Sequence, residues 1–234
     1  MDNCKKNFVT AIILAAGIGS RMKSSVTKQR LPLLGESVLH RCLRPFEECD
    51  VVDAIVVVCR QDEVDFVDGE IFDFKKVVSV VCGGNTRAES AKNGFSAIPE
   101  ATDYVAIHDA ARCLVTTDMI DRVVNAAILH GAATAVKKIT DSIKRADGTG
   151  FILESVPRED LFAAQTPQVF KKEYYSEGLE SCFVDSFITD DNMIMEKIGK
   201  RVFCVDCGNE NIKITAPDDL LFAEFIIRRR RGDV

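Results

Sequence analysis

The sequence predicts a single α/β domain over residues 1–234, with a mostly parallel sheet and helices on both faces, and three observations predict it. The chain has 234 residues and is 47% hydrophobic, enough to bury one substantial core. Apolar runs of strand length alternate with longer segments of helical spacing, the order expected of β–α–β units joined by right-handed crossovers. The first apolar run passes straight into the turn Gly17-Ile18-Gly19-Ser20-Arg21, at the kind of strand end where open α/β sheets place a ligand.

Residues 9–16 are almost continuously apolar, which suits a strand covered on both faces. A helix opens near Ser37 and runs to Glu48 with Leu39, Leu43 and Phe46 on one face. Strands follow over 53–59, where Ile55-Val56-Val57-Val58 precedes Cys59, and over 76–82, where Val80-Val81 precedes Cys82. Residues 87–98 read as a helix, 104–108 as a strand ending at His108, 117–130 as a helix and 132–139 as a strand. Residues 142–145 and 151–156 flank Asp147-Gly148-Thr149-Gly150 and read as a hairpin within a protruding arm over 141–158. Two strands alone are only marginally stable in water, so the arm is expected to lie on something. Helices over 171–181 and 190–198, a strand over 201–205 and a final helix from Pro217 complete the series.

A formal charge of −6 argues against a general nucleic-acid binder, which needs a broad basic face. The apolar stretch after Lys6 breaks at Gly17 and is only strand length, so neither a signal peptide nor a membrane span is expected, and the protein is read as soluble and intracellular. Nine cysteines, several inside apolar strands, read as small buried hydrophobes in a reducing compartment rather than as a disulfide framework.

The glycine turn is a design for holding a polyphosphate. Gly17 and Gly19 leave no Cβ, so backbone N–H groups can approach phosphate oxygens closely. Arg21 and Lys28 add a rigid guanidinium fork and a compact ammonium. Met22 stands where a dinucleotide fingerprint needs its third glycine, and no Gly-Lys-Ser/Thr follows as a Walker loop requires. Three other segments put polar chemistry near predicted strand ends: Gly83-Gly84-Asn85-Thr86-Arg87, Asp109-Ala110-Ala111-Arg112, and Lys213 within Asn211-Ile212-Lys213-Ile214-Thr215. Convergence on one crevice is their simplest joint explanation.

Taken in order, Leu14-Ala15-Ala16-Gly17-x-Gly19-x-Arg21-Met22, Lys28-Gln29, Gly83-Gly84-x-x-Arg87-x-x-Ser90, His108-Asp109-Ala110-Ala111-Arg112, Arg158, Thr166-Pro167-Gln168, Thr189-Asp190 and Asn211-Ile212-Lys213-Ile214-Thr215 resemble the bacterial and plastid 2-C-methyl-D-erythritol 4-phosphate cytidylyltransferase family over nearly the whole chain. The resemblance implies a Rossmann-like nucleotidyltransferase domain, CTP as donor, methylerythritol phosphate as acceptor and a Mg²⁺ ion. It also implies a cytoplasmic or plastid-stromal location and a homodimer through the arm. It implies catalytic roles for Arg21, Lys28, Arg158 and Lys213. Nucleotide contacts fall to Ala15, Ala16, Gly17, Gly19, Gly84, Asn85 and Ser90; acceptor contacts fall to Asp109, Arg112, Ser142, Arg158 and Lys213. Asp109 is also the candidate metal ligand, since a lone carboxylate plus CTP phosphates is typical of Mg²⁺.

The chain departs from the family pattern at several places. Asn85 stands where aspartate is common, Thr27 replaces the usual proline before Lys28-Gln29, Cys113 replaces a proline, and Asp191-Asn192 replaces the more usual Glu-Ala. Losing proline frees φ at position 27 and is expected to loosen the Lys28 loop. Cys204-Val205-Asp206-Cys207 lacks a second pair or a nearby histidine cluster and reads as structural, Arg228 to Arg231 as cations finishing a helix, and His108 as a hydrogen-bonded structural residue. Two alternatives stand beside the leading reading: a ribitol-5-phosphate cytidylyltransferase, and a nucleotide-binding regulator without turnover.

Overall fold

The computed structural model describes residues 7–17, 26–182 and 188–233. Its centre is a seven-stranded sheet made from β1 (Val9–Leu14), β4 (Ala54–Cys59), β5 (Val77–Cys82), β6 (Tyr104–Asp109), β7 (Ala132–Lys138), β10 (Phe162–Lys171) and β11 (Phe203–Asp206), in the order β11-β7-β10-β6-β1-β4-β5. β1 pairs in parallel with both β4 and β6, β5 in parallel with β4, and β11 in parallel with β7. The chain moves outward from β1 through β4 to β5, then returns to place β6 on the other side of β1. That reversal makes a topological switch point between β1 and β6, where a crevice opens outside the strand ends.

The unbroken apolar run of β1 follows from this position. Val9, Ala11 and Ile13 enter one core cluster, with Leu39, Leu43 and Phe46 of α1 (Val38–Glu48), Ile120, Val123 and Val124 of α4 (Thr117–His130), and Ala223 and Ile227 of α7 (Pro217–Arg231). Ile12 and Leu14 enter the other cluster, with Ala91 of α3 (Arg87–Phe95), Tyr175 and Leu179 of α5 (Lys172–Cys182), and Ile194 and Met195 of α6 (Asn192–Lys197). Each large aliphatic side chain so buried contributes about 1.5–3 kcal/mol. Caps start the helices where short polar residues stand: the hydroxyls of Ser37, Thr86 and Thr116 accept from the N–H groups of His40, Glu89 and Met119 at 3.0, 3.0 and 3.2 Å.

Several sequence expectations are corrected. The first strand stops at Leu14 rather than at Ala16, and α3 ends at Phe95 rather than at residue 98, its last turn tightening ahead of Pro99, which disfavours helix in the residue before it. Strand β10 was not expected, and it runs antiparallel to both β6 and β7, so the sheet is less uniformly parallel than the alternating pattern implies. Polar Gln165, Thr166 and Gln168 around Pro167 hid it; a register break between Ala164 and Gln168 takes the proline out of the ladder. Helix α2 (Val64–Glu70), with Gly69 inside it, was too short to announce itself by period. The small β2 (Pro32–Leu33) and β3 (Glu36–Ser37) hairpin turns through Leu34 and Gly35, both at positive φ. Lys213 lies in an extended segment outside any strand, tied to the site by Ile214 N–H donating to Ala111 O at 2.8 Å.

The predicted arm is present as β8 (Ile143–Ala146) and β9 (Ile152–Val156), paired antiparallel in a sheet of their own. Asp147 Oδ1 accepts from Thr149 N, Thr149 Oγ1 and Phe151 N, which fixes the turn. Phe151, Ile152 and Leu153 are 75%, 66% and 64% exposed, so the arm carries an apolar surface that its own strands do not cover. Among the described residues no helix is long and apolar enough to cross a membrane.

Candidate functional site

At the switch point the ends of β1, β4, β5 and β6 surround a cleft of about 600 Å³ lined by Ala16, Gly17, Lys28, Gln29, Arg60, Gly84, Asn85, Arg87, Ser90, Asp109, Ala111 and Lys213, among others. Three of the four segments expected to converge do so here, joined by Gly17 of the fourth. Gly19 and Arg21 lie outside the described residues.

The β5 exit explains its paired glycines. A Cβ on Gly83 would stand 2.5 Å from Ala16 Cβ, and one on Gly84 would stand 2.3 Å from Glu89 Cβ, so side chains there would push the turn away from β1 and α3. The turn is pinned from within: Gly84 N donates to Ser90 Oγ at 3.1 Å, Ser90 Oγ donates to Thr86 O at 2.9 Å, and Asn85 N donates to Glu89 Oε2 at 2.6 Å. Ser90 thus holds the loop as a helix-start residue, and the N–H groups of Gly84 and Asn85 face the protein. The Ala15 N–H likewise donates to Val58 O at 2.7 Å, while Ala16, Gly17, Gly84, Asn85 and Ser90 line this wall of the cleft.

Opposite stands the short 3-10 turn Lys28–Arg30. Gln29 Nε2 donates to Gly17 O at 3.3 Å, tying together the two ends of the glycine loop. Arg30 Nε reaches both carboxylate oxygens of Glu63 at 3.1 Å, and Thr27 Oγ1 donates to Glu63 Oε2 at 3.0 Å. Thr27 has φ −65°, the value proline imposes, and its hydroxyl adds an anchor that proline lacks. The stem of Lys28 crosses the turn, its Cε 4.0 Å from where a Gly17 Cβ would lie.

The floor of the cleft is a chain of ion pairs. Asp109, ending β6, accepts from Arg87 Nε at 3.0 Å on one oxygen and from Lys213 Nζ at 2.6 Å on the other. Arg87 Nη1 continues to Asp191 Oδ2 at 2.6 Å, and Tyr175 OH donates to Asp191 Oδ1 at 2.7 Å. Burial alone would raise the Asp109 pKa, but Arg87 and Lys213 outweigh it and hold the carboxyl well below the usual carboxylate range. For Arg87 burial works against the charge, and Asp191 and Asp109 more than restore it. The sequence marked Asp109 and Lys213 but missed Arg87, Asp191 and Tyr175 as functional residues. Sequence separations of 22 and 104 between Arg87 and its two carboxylates explain why.

A smaller recess of about 140 Å³ shares Arg87, Asp109 and Lys213 with the cleft and adds Arg112, Thr166, Thr189 and Asp190. Arg112 donates from Nη1 to Asn211 O at 2.8 Å and from Nη2 to Ala164 O at 3.4 Å, while its buried Nε has no hydrogen-bond partner among the described residues. Two of its five N–H groups face carbonyls, and the guanidinium lines the recess as a cation. Ser142 and Arg158 sit on the exposed arm and line neither cavity; Arg158 Nη1 donates to Thr140 O.

Behind Asp109, His108 is fully buried, with Nε2 at 3.2 Å from Arg112 O and Nδ1 at 3.0 Å from Thr166 Oγ1, which itself accepts from Asp109 N at 3.1 Å. A carbonyl cannot donate, so Nε2 carries the proton and Nδ1 accepts. Burial pushes the His108 pKa down to about 3, which bears out its reading as structural. The unfolded chain therefore binds a proton at this position below about pH 6.5 that the folded chain refuses, so stability falls as pH drops from there, by up to about 1.4 kcal/mol per pH unit. Urea unfolding between pH 5 and 6.5, where unfolded carboxylates are already ionised, is expected to show that slope, and His108→Gln is expected to flatten it.

Among the described residues no group of three or more His, Cys, Asp or Glu side chains could hold a metal ion. Asp109 is the single carboxylate lining the cleft among the described residues, and a carboxylate oxygen bonded to one cation keeps a second lone pair, so one metal contact fits there.

The profile of the 2-C-methyl-D-erythritol 4-phosphate cytidylyltransferase family matches residues 9–229. A protein of that name from Caldanaerobacter subterraneus is 37% identical over 225 residues, covering 94% of this chain and 99% of its own. The chloroplastic protein of that name from Oryza sativa is 34% identical, covering 97% of this chain and 76% of its own. The crystal structure of 4-diphosphocytidyl-2C-methyl-D-erythritol synthase from Anaerococcus prevotii superimposes with TM-score 0.86 at 27% identity, covering 95% of this chain and 97% of that one. With sequence, fold and cleft in agreement, the chain belongs to the 2-C-methyl-D-erythritol 4-phosphate cytidylyltransferase family and is a nucleotidyltransferase of Rossmann-like fold.

Proposed function

We propose that this cleft transfers CMP from CTP to the phosphate of 2-C-methyl-D-erythritol 4-phosphate, a step of isoprenoid precursor synthesis. One observation carries the assignment to the geometry. Lys28, Arg87, Asp109 and Lys213 meet at the switch point without an accessible base beside them, because His108 is buried and bonded at both nitrogens. The reaction needs no base. A phosphate monoester has its second pKa near about 6 and is mostly dianionic at neutral pH. An oxygen of the acceptor phosphate attacks the α-phosphorus in line, a P–O bond forms, and the bond from that phosphorus to the bridging oxygen breaks. Its electron pair leaves with pyrophosphate, and no proton moves.

The barrier is the meeting of two anions, and the chain's own groups answer it. Lys28, from the turn Lys28–Arg30, serves the donor phosphates, and the same role is proposed for Arg21 on its place in the family pattern alone. Lys213 holds the acceptor phosphate, and Asp109 fixes that ammonium while Arg87 fixes Asp109. Ala16 and Asn85 meet the cytidine. The Asp109 carboxylate would hold a magnesium ion together with the CTP phosphates, and the ion would supply neutralisation of phosphate charge.

Ser142 and Arg158, remote from both cavities in one chain, complete the acceptor side of a second copy when two chains pair through their arms. The uncovered apolar surface at Phe151, Ile152 and Leu153 supports that pairing. Pyrophosphate release from CTP is expected with methylerythritol phosphate, not with ribitol 5-phosphate, to stop with EDTA, and to fall per chain on dilution below the dimer's dissociation constant. Release with ribitol phosphate alone overturns the acceptor, and full specific activity in a demonstrated monomer overturns the shared site.

A further inference from the structure

A second cavity, about 220 Å³, shares no lining residue with the cleft or its recess. Its lining joins apolar Pro45, Leu114, Val115 and Ile227 to Arg41 and Arg44 of α1 and Arg230 and Arg231 of α7. Arg41 is buried, donating to Leu33 O at 2.5 Å and Leu34 O at 3.0 Å, with Glu36 Oε2 3.2 Å from its Nη1. Arg44 reaches the other Glu36 oxygen at 2.6 Å. Arg230 donates to Leu114 O at 2.9 Å and to Glu210 at 2.8 Å, and Glu210 also pairs with Arg229.

Each of the two carboxylates therefore serves two guanidiniums, and Arg231 pairs with no carboxylate among the described residues. Arg41, Arg44, Arg230 and Arg231 line one small cavity and so repel one another; burial, opposed by Glu36 and reinforced by Arg231 and Arg44, holds the Arg41 pKa below its ordinary value. Such a cluster beside an apolar lining is relieved by a compact anion of high charge, and guanidinium forks match phosphate oxygens. We propose that this cavity is a binding site for a diphosphate group, with room along its apolar lining for a short carbon chain. The site rests on Cys113-Leu114-Val115, the continuation of the segment carrying Asp109 and Arg112. A ligand there presses on the loop that supplies the cleft's central carboxylate.

The test titrates inorganic pyrophosphate, and separately n-butyl diphosphate, into the full chain by calorimetry, with saturating CTP filling the cleft. One saturable site is expected to remain. It should weaken by about tenfold or more in Arg44→Ala/Arg231→Ala, as loss of charge-assisted contacts implies, and persist in Lys213→Ala. Arg231→Ala alone breaks no ion pair among the described residues and serves if the double variant is unstable. Tighter binding of the butyl compound assigns an organic diphosphate, and equal or weaker binding assigns the inorganic ion. No saturable binding with CTP present, or the same affinity in the arginine variants, overturns the site.

Discussion

Arg87→Ala is expected to lower unfolding free energy by about 3–5 kcal/mol, the cost of removing one partner from a buried ion pair and leaving the other charge uncompensated. The size follows from what Arg87 joins. It donates to Asp109 and to Asp191, and Asp191 is fully buried against the Tyr175 hydroxyl. The alanine leaves two carboxylates facing a gap. Arg87→Lys is expected to recover only part of the loss, because one ammonium cannot present the fork that reaches two carboxylates from separate nitrogens. The pH dependence has a definite sign. Asp109 is depressed below its unfolded value, so its pairing stabilises the fold above about pH 4 and is lost as pH falls toward the folded value. Without Arg87 that acid-labile part shrinks. Urea unfolding at pH 7 measures the first effect and its pH dependence below pH 4 the second, because the change between pH 6.5 and 4 belongs to His108; an Arg87→Ala protein as stable as the parent at pH 7 removes the ion-pair chain as a structural element.

The same residues show what the sequence could reveal. Strand β1 was legible because both its faces are covered, which makes its positions almost all apolar. Asp109, Arg112 and Lys213 were legible as site residues by their pattern. Their partners were not, since Asp109 meets Arg87 and Lys213, and Arg112 meets Asn211, across separations of 22, 104 and 99 residues that no local spacing encodes. Strand β10 stayed hidden for a functional reason. The polar side chains that break its pattern are the scaffold behind the site: Thr166 orients His108, and Gln168 accepts from Asp191 N at 2.9 Å. Ser90 lines the cleft and also pins the loop beside it, a second role that its place in the pattern did not announce.

Lys28→Ala is expected to cut turnover on the order of 10²- to 10³-fold, the loss found when one preorganised donor to a developing charge is removed. The fold should survive, because the turn beneath Lys28 is held by other groups: Gln29 on Gly17 O, and Arg30 and Thr27 on Glu63. The loss should fall on kcat more than on the KM for CTP. Ground-state binding is shared with the remaining cations, while charge on the α-phosphate and leaving pyrophosphate grows only as the bond breaks. Lys28→Arg is expected to recover little, since a planar fork on a different stem cannot place its charge where a compact ammonium lying across Gly17 places it. Single-turnover pyrophosphate release alongside a thermal melt separates these outcomes. A folded Lys28→Ala protein with near-normal kcat removes Lys28 from the transition state, and a large rise in KM with kcat unchanged makes it a ground-state binding residue only.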